Sequence, residues 1–149
     1  MRVAAGPQPW QDAVHERRHT LDAKRLETLP LFRDLSRKER DQISRWTDEI
    51  DVPAGYRLLE QGRLPHEFFV LETGSVAVTR DGEHLTDLGP GDFFGEIAIM
   101  EHDRRTASVI TNTPCTAVVM LARDFETMAG VMPHVAEQIH AAIRERMQR

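Results

Sequence analysis

Between Tyr56 and Leu121 the chain is cut at short intervals by residues that reverse a backbone, which leaves little room for a long helix. The breaks are Gln61-Gly62, Thr73-Gly74, Asp81-Gly82, Gly89-Pro90-Gly91 and Asn112-Thr113-Pro114. Glycine supplies left-handed backbone at no steric cost, proline presets its own φ, and Asn and Asp side chains bond their own main chain. The segments between these breaks predict strands near 56–61, 66–72, 75–80, 83–88, 105–111 and 115–121, with a brief strand at Phe93-Phe94. Asp81-Gly82 is a two-residue hairpin signal between Val76-Ala77-Val78-Thr79 and His84-Leu85-Thr86. Many short strands with close turns give a barrel or a jelly roll.

Helical periodicity appears on either side of this block. Ser36-Arg37-Lys38-Glu39 is a capping box that opens a helix through about Thr47, with Ile43 and Trp46 on its inner face. From Arg123 the period is helical again. Phe125 and Met128 line one helix, Gly130 to Pro133 breaks it, and Val135, Ile139, Ile143 and Met147 form a second stripe. Residues 1–10, with Gly6, Pro7 and Pro9, read as a loose leading segment. Gln11 to Leu29 is helix-friendly, but its stripe of Val14, Leu21 and Leu26 is thin, which predicts a peripheral or partner-dependent helix. The expected division is an extension over 1–28, partly helical, and one folded unit over 29–149.

Charge and composition narrow the function. The formal net charge of −5 argues against a nucleic-acid-binding surface, which usually shows as a basic stripe. No apolar run reaches the length of a membrane span. The single cysteine, Cys115, permits no internal disulfide, and the first residues lack a secretory hydrophobic core. The expected location is therefore cytoplasmic.

The chemistry concentrates in Gly91 to Ser108. Gly95 lets backbone approach a ligand closely. The N–H groups that open Glu96-Ile97-Ala98-Ile99-Met100 have no helical partner and can point at an anion. Arg105 offers a fixed fork of donors that fits two phosphate oxygens together. Glu96, acceptor-only when ionised, suits a ribose hydroxyl and is badly suited to a phosphate. Both residue types in one site call for a sugar phosphate.

Phe94-Gly95-Glu96-Ile97-Ala98 and Arg105-Thr106-Ala107-Ser108 resemble, position by position, the phosphate-binding cassette of the cyclic nucleotide-binding domain family. Members include catabolite activators, protein kinase A regulatory subunits and cyclic-nucleotide-gated channels. The resemblance covers roughly residues 29–149 and implies an α+β fold. That fold is an eight-stranded antiparallel β-jelly roll (a double-stranded β-helix) with an N-terminal helical segment, a short cassette helix and two C-terminal helices. It also implies roles. Arg105 pairs with the cyclic phosphate and Glu96 accepts from the ribose 2′-hydroxyl. Gly95, Ile97, Ala98 and Ala107 contribute shape and backbone groups. Thr106 reaches a phosphate oxygen or, in some members, a syn guanine. Val78, Thr86 and Leu88 line base and sugar, and Arg146 reaches from the last helix toward the purine. Each of these four has a plain alternative: barrel core for the three strand residues, a solvated surface position for Arg146.

The implied ligand is a 3′,5′-cyclic purine nucleotide, cAMP favoured over cGMP, with no cofactor. The implied partner is an effector protein or domain, and the sequence leaves a homodimer open. The residues give no catalytic group. One competing motif, His15-Glu16-Arg17-Arg18-His19, has the H-E-x-x-H form of a zinc site, but its two inner positions are arginines and its flanks have little apolar surface to bury. The remaining histidines form no His-x-His cluster, so no metal site is expected. The alternative reading is the same fold without nucleotide binding, acting as a protein-interaction adaptor.

Overall fold

The structure is a computed structural model that describes residues 7–14, 19–20, 23–95 and 103–147. The chain enters through helix α1 (Gln11–Val14), strand β1 (His19–Thr20), helix α2 (Ala23–Leu26) and a 3-10 turn at Pro30–Phe32. Helix α3 (Arg37–Ser44) starts at the expected capping box, with both halves formed. Ser36 Oγ accepts from the Glu39 N–H at 3.1 Å, and Glu39 Oε1 accepts from the Ser36 N–H at 2.8 Å.

Eight strands then fill Thr47 to Leu121: β2 (Thr47–Val52), β3 (Arg57–Leu59), β4 (Glu67–Thr73), β5 (Val76–Arg80), β6 (Glu83–Leu88), β7 (Phe93–Phe94), β8 (Ser108–Thr111) and β9 (Cys115–Leu121). They pair antiparallel in two sheets, ordered β1-β2-β9-β4-β7 and β3-β8-β5-β6. Helices α4 (Ala122–Val131) and α5 (Pro133–Met147) close the chain, separated only by Met132 at φ −128° and ψ 67°. Among the described residues no helix is long and apolar enough to cross a membrane.

The five-stranded sheet is covered on both faces. Phe69, Leu71, Ala117 and Val119 point between the sheets, where they meet Ile50, Leu58, Val76 and Val109. Their neighbours Phe68, Val70, Val118 and Met120 point outward and pack under Phe32, Ile43, Phe125, Met128, Val135 and Ile139 of the helical layer. Successive strand residues face opposite ways, so a stretch buried on both sides reads as a continuous apolar run, as Phe68 to Leu71 of β4 and Ala117 to Met120 of β9 do. The four-stranded sheet has no such cover, and every residue of β6 from Glu83 to Asp87 is exposed.

Several expectations are corrected. The α3 helix stops at Ser44 rather than about Thr47, because Thr47–Val52 is a strand paired with β9 along its whole length. The β8 strand begins at Ser108 rather than at 105, because Arg105 pairs its main chain with the loop at Gly62 and Arg63. The leading segment is not loose where it is described: Trp10 is 3% exposed and lies in the inter-sheet core. Among the described residues, the stretch from Gln11 to Leu29 holds two helical turns and a short strand, and His19 is extended and paired with Glu49 rather than on a helix, where an H-E-x-x-H zinc site would need it. His15 to Arg18 lie outside the described residues.

The extension docks through charge as well as apolar packing. Leu26 and Leu29 are buried under the helical layer. Arg25 Nη2 stands 3.0 Å from Glu49 of β2 and 3.0 Å from Glu72 of β4. Burial, followed by the neighbouring Glu49, pushes the Glu72 carboxyl up to about 7 against the opposing pull of Arg25.

Candidate functional site

Arg105 is the organising residue, and it is only 5% exposed. Its Nη1 donates to the Gly95 carbonyl at 2.6 Å and its Nη2 to the Glu67 carbonyl at 2.5 Å. Its own N–H donates to the Arg63 carbonyl at 2.8 Å, and its carbonyl accepts from the Gly62 N–H at 2.9 Å. A buried guanidinium needs hydrogen-bond acceptors around it, since an ion without them pays a heavy desolvation penalty. Here neutral main-chain oxygens from two separate segments supply them.

Those segments are fixed by the five-stranded sheet. Strand β7 pairs with β4 through Phe69 opposite Phe94 and Val70 opposite Phe93. The Phe69 and Phe94 rings stack at 5.2 Å and 14°. Gly95 therefore follows directly from an anchored residue. It adopts φ +94°, and an added Cβ would lie 2.9 Å from the Glu67 carbonyl oxygen and 3.0 Å from Arg105 Nη1. The glycine is required by the protein's own close packing around Arg105, a reason distinct from access for a ligand.

The rest of the Arg105-Thr106-Ala107-Ser108 run fastens neighbouring loops. Thr106 is exposed and its carbonyl accepts from Arg80 Nε at 3.1 Å. Ala107 is half-buried. Ser108 Oγ accepts from the Gln61 N–H at 3.0 Å, and the Gln61 side chain exchanges two hydrogen bonds with Asp81 at the β5–β6 turn. The turn takes positive φ at both Asp81 (53°) and Gly82 (79°), the hairpin geometry expected from the sequence.

Val78, Thr86 and Leu88 come together on one face of the β5–β6 hairpin. Val78 stands opposite Thr86, and Leu88 stands opposite the buried Val76. Val78 and Leu88 are half-buried against the inter-sheet core, while Thr86 is exposed. Glu96, Ile97 and Ala98 lie outside the described residues. Arg146 falls within α5, and its side chain lies outside what is described.

A cavity of about 460 Å³ opens beside Arg105 and Glu67, with Arg57, Arg63, Arg104 and Gln11 in its walls. Val78, Thr86 and Leu88 are not among its lining residues. Four arginines against Glu60 and Glu67 make this a local positive region in an acidic protein, as an anion site requires. Arg57 and Arg63 were not legible in the sequence, because only the fold brings β3 and its following loop to Arg105. Glu67 was also missed, since it acts through a carbonyl that every residue possesses. Among the described residues no group of three His, Cys, Asp or Glu side chains is placed to hold a metal.

Comparison with known proteins agrees with this geometry. The model of the cyclic nucleotide-binding domain matches residues 49–130, more than half of the chain. A cyclic nucleotide-gated potassium channel of Rhizobium etli is 32% identical over 118 residues, covering 79% of this chain and 33% of the channel. A cAMP-dependent protein kinase regulatory subunit of Aspergillus fumigatus is 36% identical over 122 residues, covering 80% of this chain and 29% of that subunit. The chain thus spans about a third of the length of these curated relatives. The regulatory domain of Toxoplasma gondii protein kinase A, solved with cAMP, has a TM-score of 0.72 at 21% identity, a likeness of fold over 83% of this chain and 48% of that one. With the two-sheet architecture and the family match in agreement, the chain belongs to the cyclic nucleotide-binding domain family.

Proposed function

We propose that the chain senses a 3′,5′-cyclic purine nucleotide, cAMP in preference to cGMP, and signals by moving its C-terminal helices. The observation that carries this reading is Arg105, a buried guanidinium whose Nη1 donates to the Gly95 carbonyl at 2.6 Å, in the wall of a positively charged recess. The preference for cAMP draws support from relatives named as cAMP-dependent kinase subunits. Arg105 takes the cyclic phosphate, Glu96 the ribose 2′-hydroxyl, and Gly95, Ile97, Ala98 and Ala107 give the cassette its shape. Thr106 bonds a phosphate oxygen. Val78, Thr86 and Leu88 receive the sugar and base, and Arg146 closes over the purine.

Phosphate arriving at Arg105 competes with the carbonyls of Gly95 and Glu67, so binding pulls on the cassette and on the α4 helix that packs behind β4 and β9. The break at Met132 then serves as the hinge on which α5 swings. Converting a 1:99 equilibrium into 99:1 needs about 5.5 kcal/mol of preference for the closed state. Residues 29–149 form the sensing unit and 1–28 its extension. The effector is a protein or domain that reads α5, and a homodimer is compatible with this scheme.

Thermal unfolding with cAMP, cGMP and AMP in parallel tests the reading. Ligand at a hundred times its dissociation constant stabilises by about 2.7 kcal/mol, a readily measured shift. The expected order is cAMP, then cGMP, with AMP least. Absence of a shift with both cyclic nucleotides favours the adaptor reading, and equal shifts with AMP and cAMP mean that the phosphodiester ring is not read.

A further inference from the structure

The N-terminal residues reach the site by two routes. Residues 7–10 run along the outer edge of β3, which is the end strand of its sheet. The Arg57 N–H donates to the Gln8 carbonyl at 2.8 Å, the Trp10 N–H donates to the Arg57 carbonyl at 2.9 Å, and Arg57 Nη1 donates to the Pro7 carbonyl at 2.6 Å. This occupies an edge that would otherwise offer unpaired main-chain groups. Trp10 then enters the inter-sheet core and meets Phe69 edge-on, at 5.7 Å and 88°. Its Nε1 is buried without a hydrogen-bond partner, so the ring is held by apolar packing and by its backbone bonds.

Each route ends on one of the two carbonyls that grip Arg105. Through the first, Trp10 packs on Phe69, Phe69 stacks on Phe94, and Phe94 precedes Gly95, whose carbonyl accepts from Nη1. Through the second, Gln11 Nε2 donates to Glu67 Oε2 at 3.2 Å, and the Glu67 carbonyl accepts from Nη2. Pro9 and Gln11 also stand in the wall of the cavity beside Arg105. A binding group is effective only when the residues around it hold it within about half an ångström of its working position.

We propose that residues 7–11 are a positioning strap for Arg105, setting the affinity for the nucleotide phosphate. This rests on the reading of Arg105 as the phosphate-binding residue. Trp10 fixes the Gly95 carbonyl through the aromatic stack and Gln11 fixes the Glu67 carbonyl, so loosening either lets the guanidinium drift.

The test uses the full chain with Gln11→Ala, which removes one exposed side chain, and Trp10→Leu, with Trp10→Phe as the conservative rescue. Amide hydrogen exchange without ligand is read at Gly62 and Arg105, whose N–H groups bond across the site, against Met132 as a reference in the helical layer. Calorimetry gives the affinity for cAMP. The strap predicts exchange at Gly62 and Arg105 raised roughly tenfold while Met132 stays unchanged. It also predicts cAMP affinity lowered about threefold in Gln11→Ala and about tenfold in Trp10→Leu, with Trp10→Phe recovering most of both. Unchanged exchange at Gly62 and Arg105, a uniform rise across all amides, or a local rise with unaltered cAMP affinity each overturns it. If the wild type takes up no cAMP, the nucleotide reading fails, and the exchange pattern alone then decides whether the strap positions Arg105.

Discussion

The two sheets share one inter-sheet core but face different surroundings. The β2-β9-β4 sheet is sealed by strands on one side and helices on the other, whereas the β5–β6 hairpin contributes Val76, Val78 and Leu88 to one face and leaves the rest to solvent. Rigidity is placed where Arg105 is anchored, and openness where a base would lie. Charge follows the same division: the arginines gather at the rigid end beside β4.

The largest test of this contrast is Phe68→Ala, which removes a ring packed between Phe93 and Phe125 and should cost about 3–5 kcal/mol in chemical denaturation. The contrast breaks if a substitution in β6 costs as much. Arg105→Ala should lower nucleotide binding by about 2–5 kcal/mol, the range for unpairing a buried charge, and calorimetry showing unchanged affinity removes Arg105 from the site. Glu96→Gln should weaken binding less while leaving the unfolding transition in place; wild-type affinity in that variant ends its ribose role.

A pH series sharpens the comparison further. The Glu72 carboxyl is raised from the ordinary 4.5 to about 7, so the folded chain holds a proton that the unfolded chain has released. Stability from this group is full below the lower value and is lost as pH rises through the upper one. Denaturation midpoints should therefore fall across that window, and Glu72→Gln should flatten the slope. Leu85→Ala marks the other extreme. Leu85 is 48% exposed in β6, and its loss should stay within about 0.5 kcal/mol.

Turns and periodic stripes made most of the fold legible. Asp81-Gly82 placed a hairpin because few other residue pairs accept positive φ twice, and Phe125, Met128, Val135 and Ile139 all proved buried. Strand β2 escaped because Asp48, Glu49 and Asp51 separate the buried Thr47, Ile50 and Val52 and leave no period-2 apolar pattern. Its paired residues on β9 and the Arg25 contact to Glu49 compensate for carboxylates that disfavour strands in isolation. Trp10 escaped because prolines and glycine around it signal a loose chain, and nothing local reveals an open slot beside Phe69.

The site divides in the same way. Arg105 and Gly95 were legible because their side-chain chemistry and lack of a side chain are unusual. The oxygens that hold Arg105 were not, because Glu67 and Gly95 donate nothing distinctive to the sequence when they act through main chain. Ser108 was read as part of a motif, yet its hydroxyl ties down Gln61.

The chain has two tryptophans, and the fold assigns one to each core: Trp10 lies between the sheets, and Trp46 packs against the layer beneath the helices. Each therefore serves as a built-in optical probe of one compartment. Replacing either ring with phenylalanine leaves emission from the other alone, so the same protein can report separately when light-absorbing groups at the strand-lined interior and at the helix-capped interior first meet water.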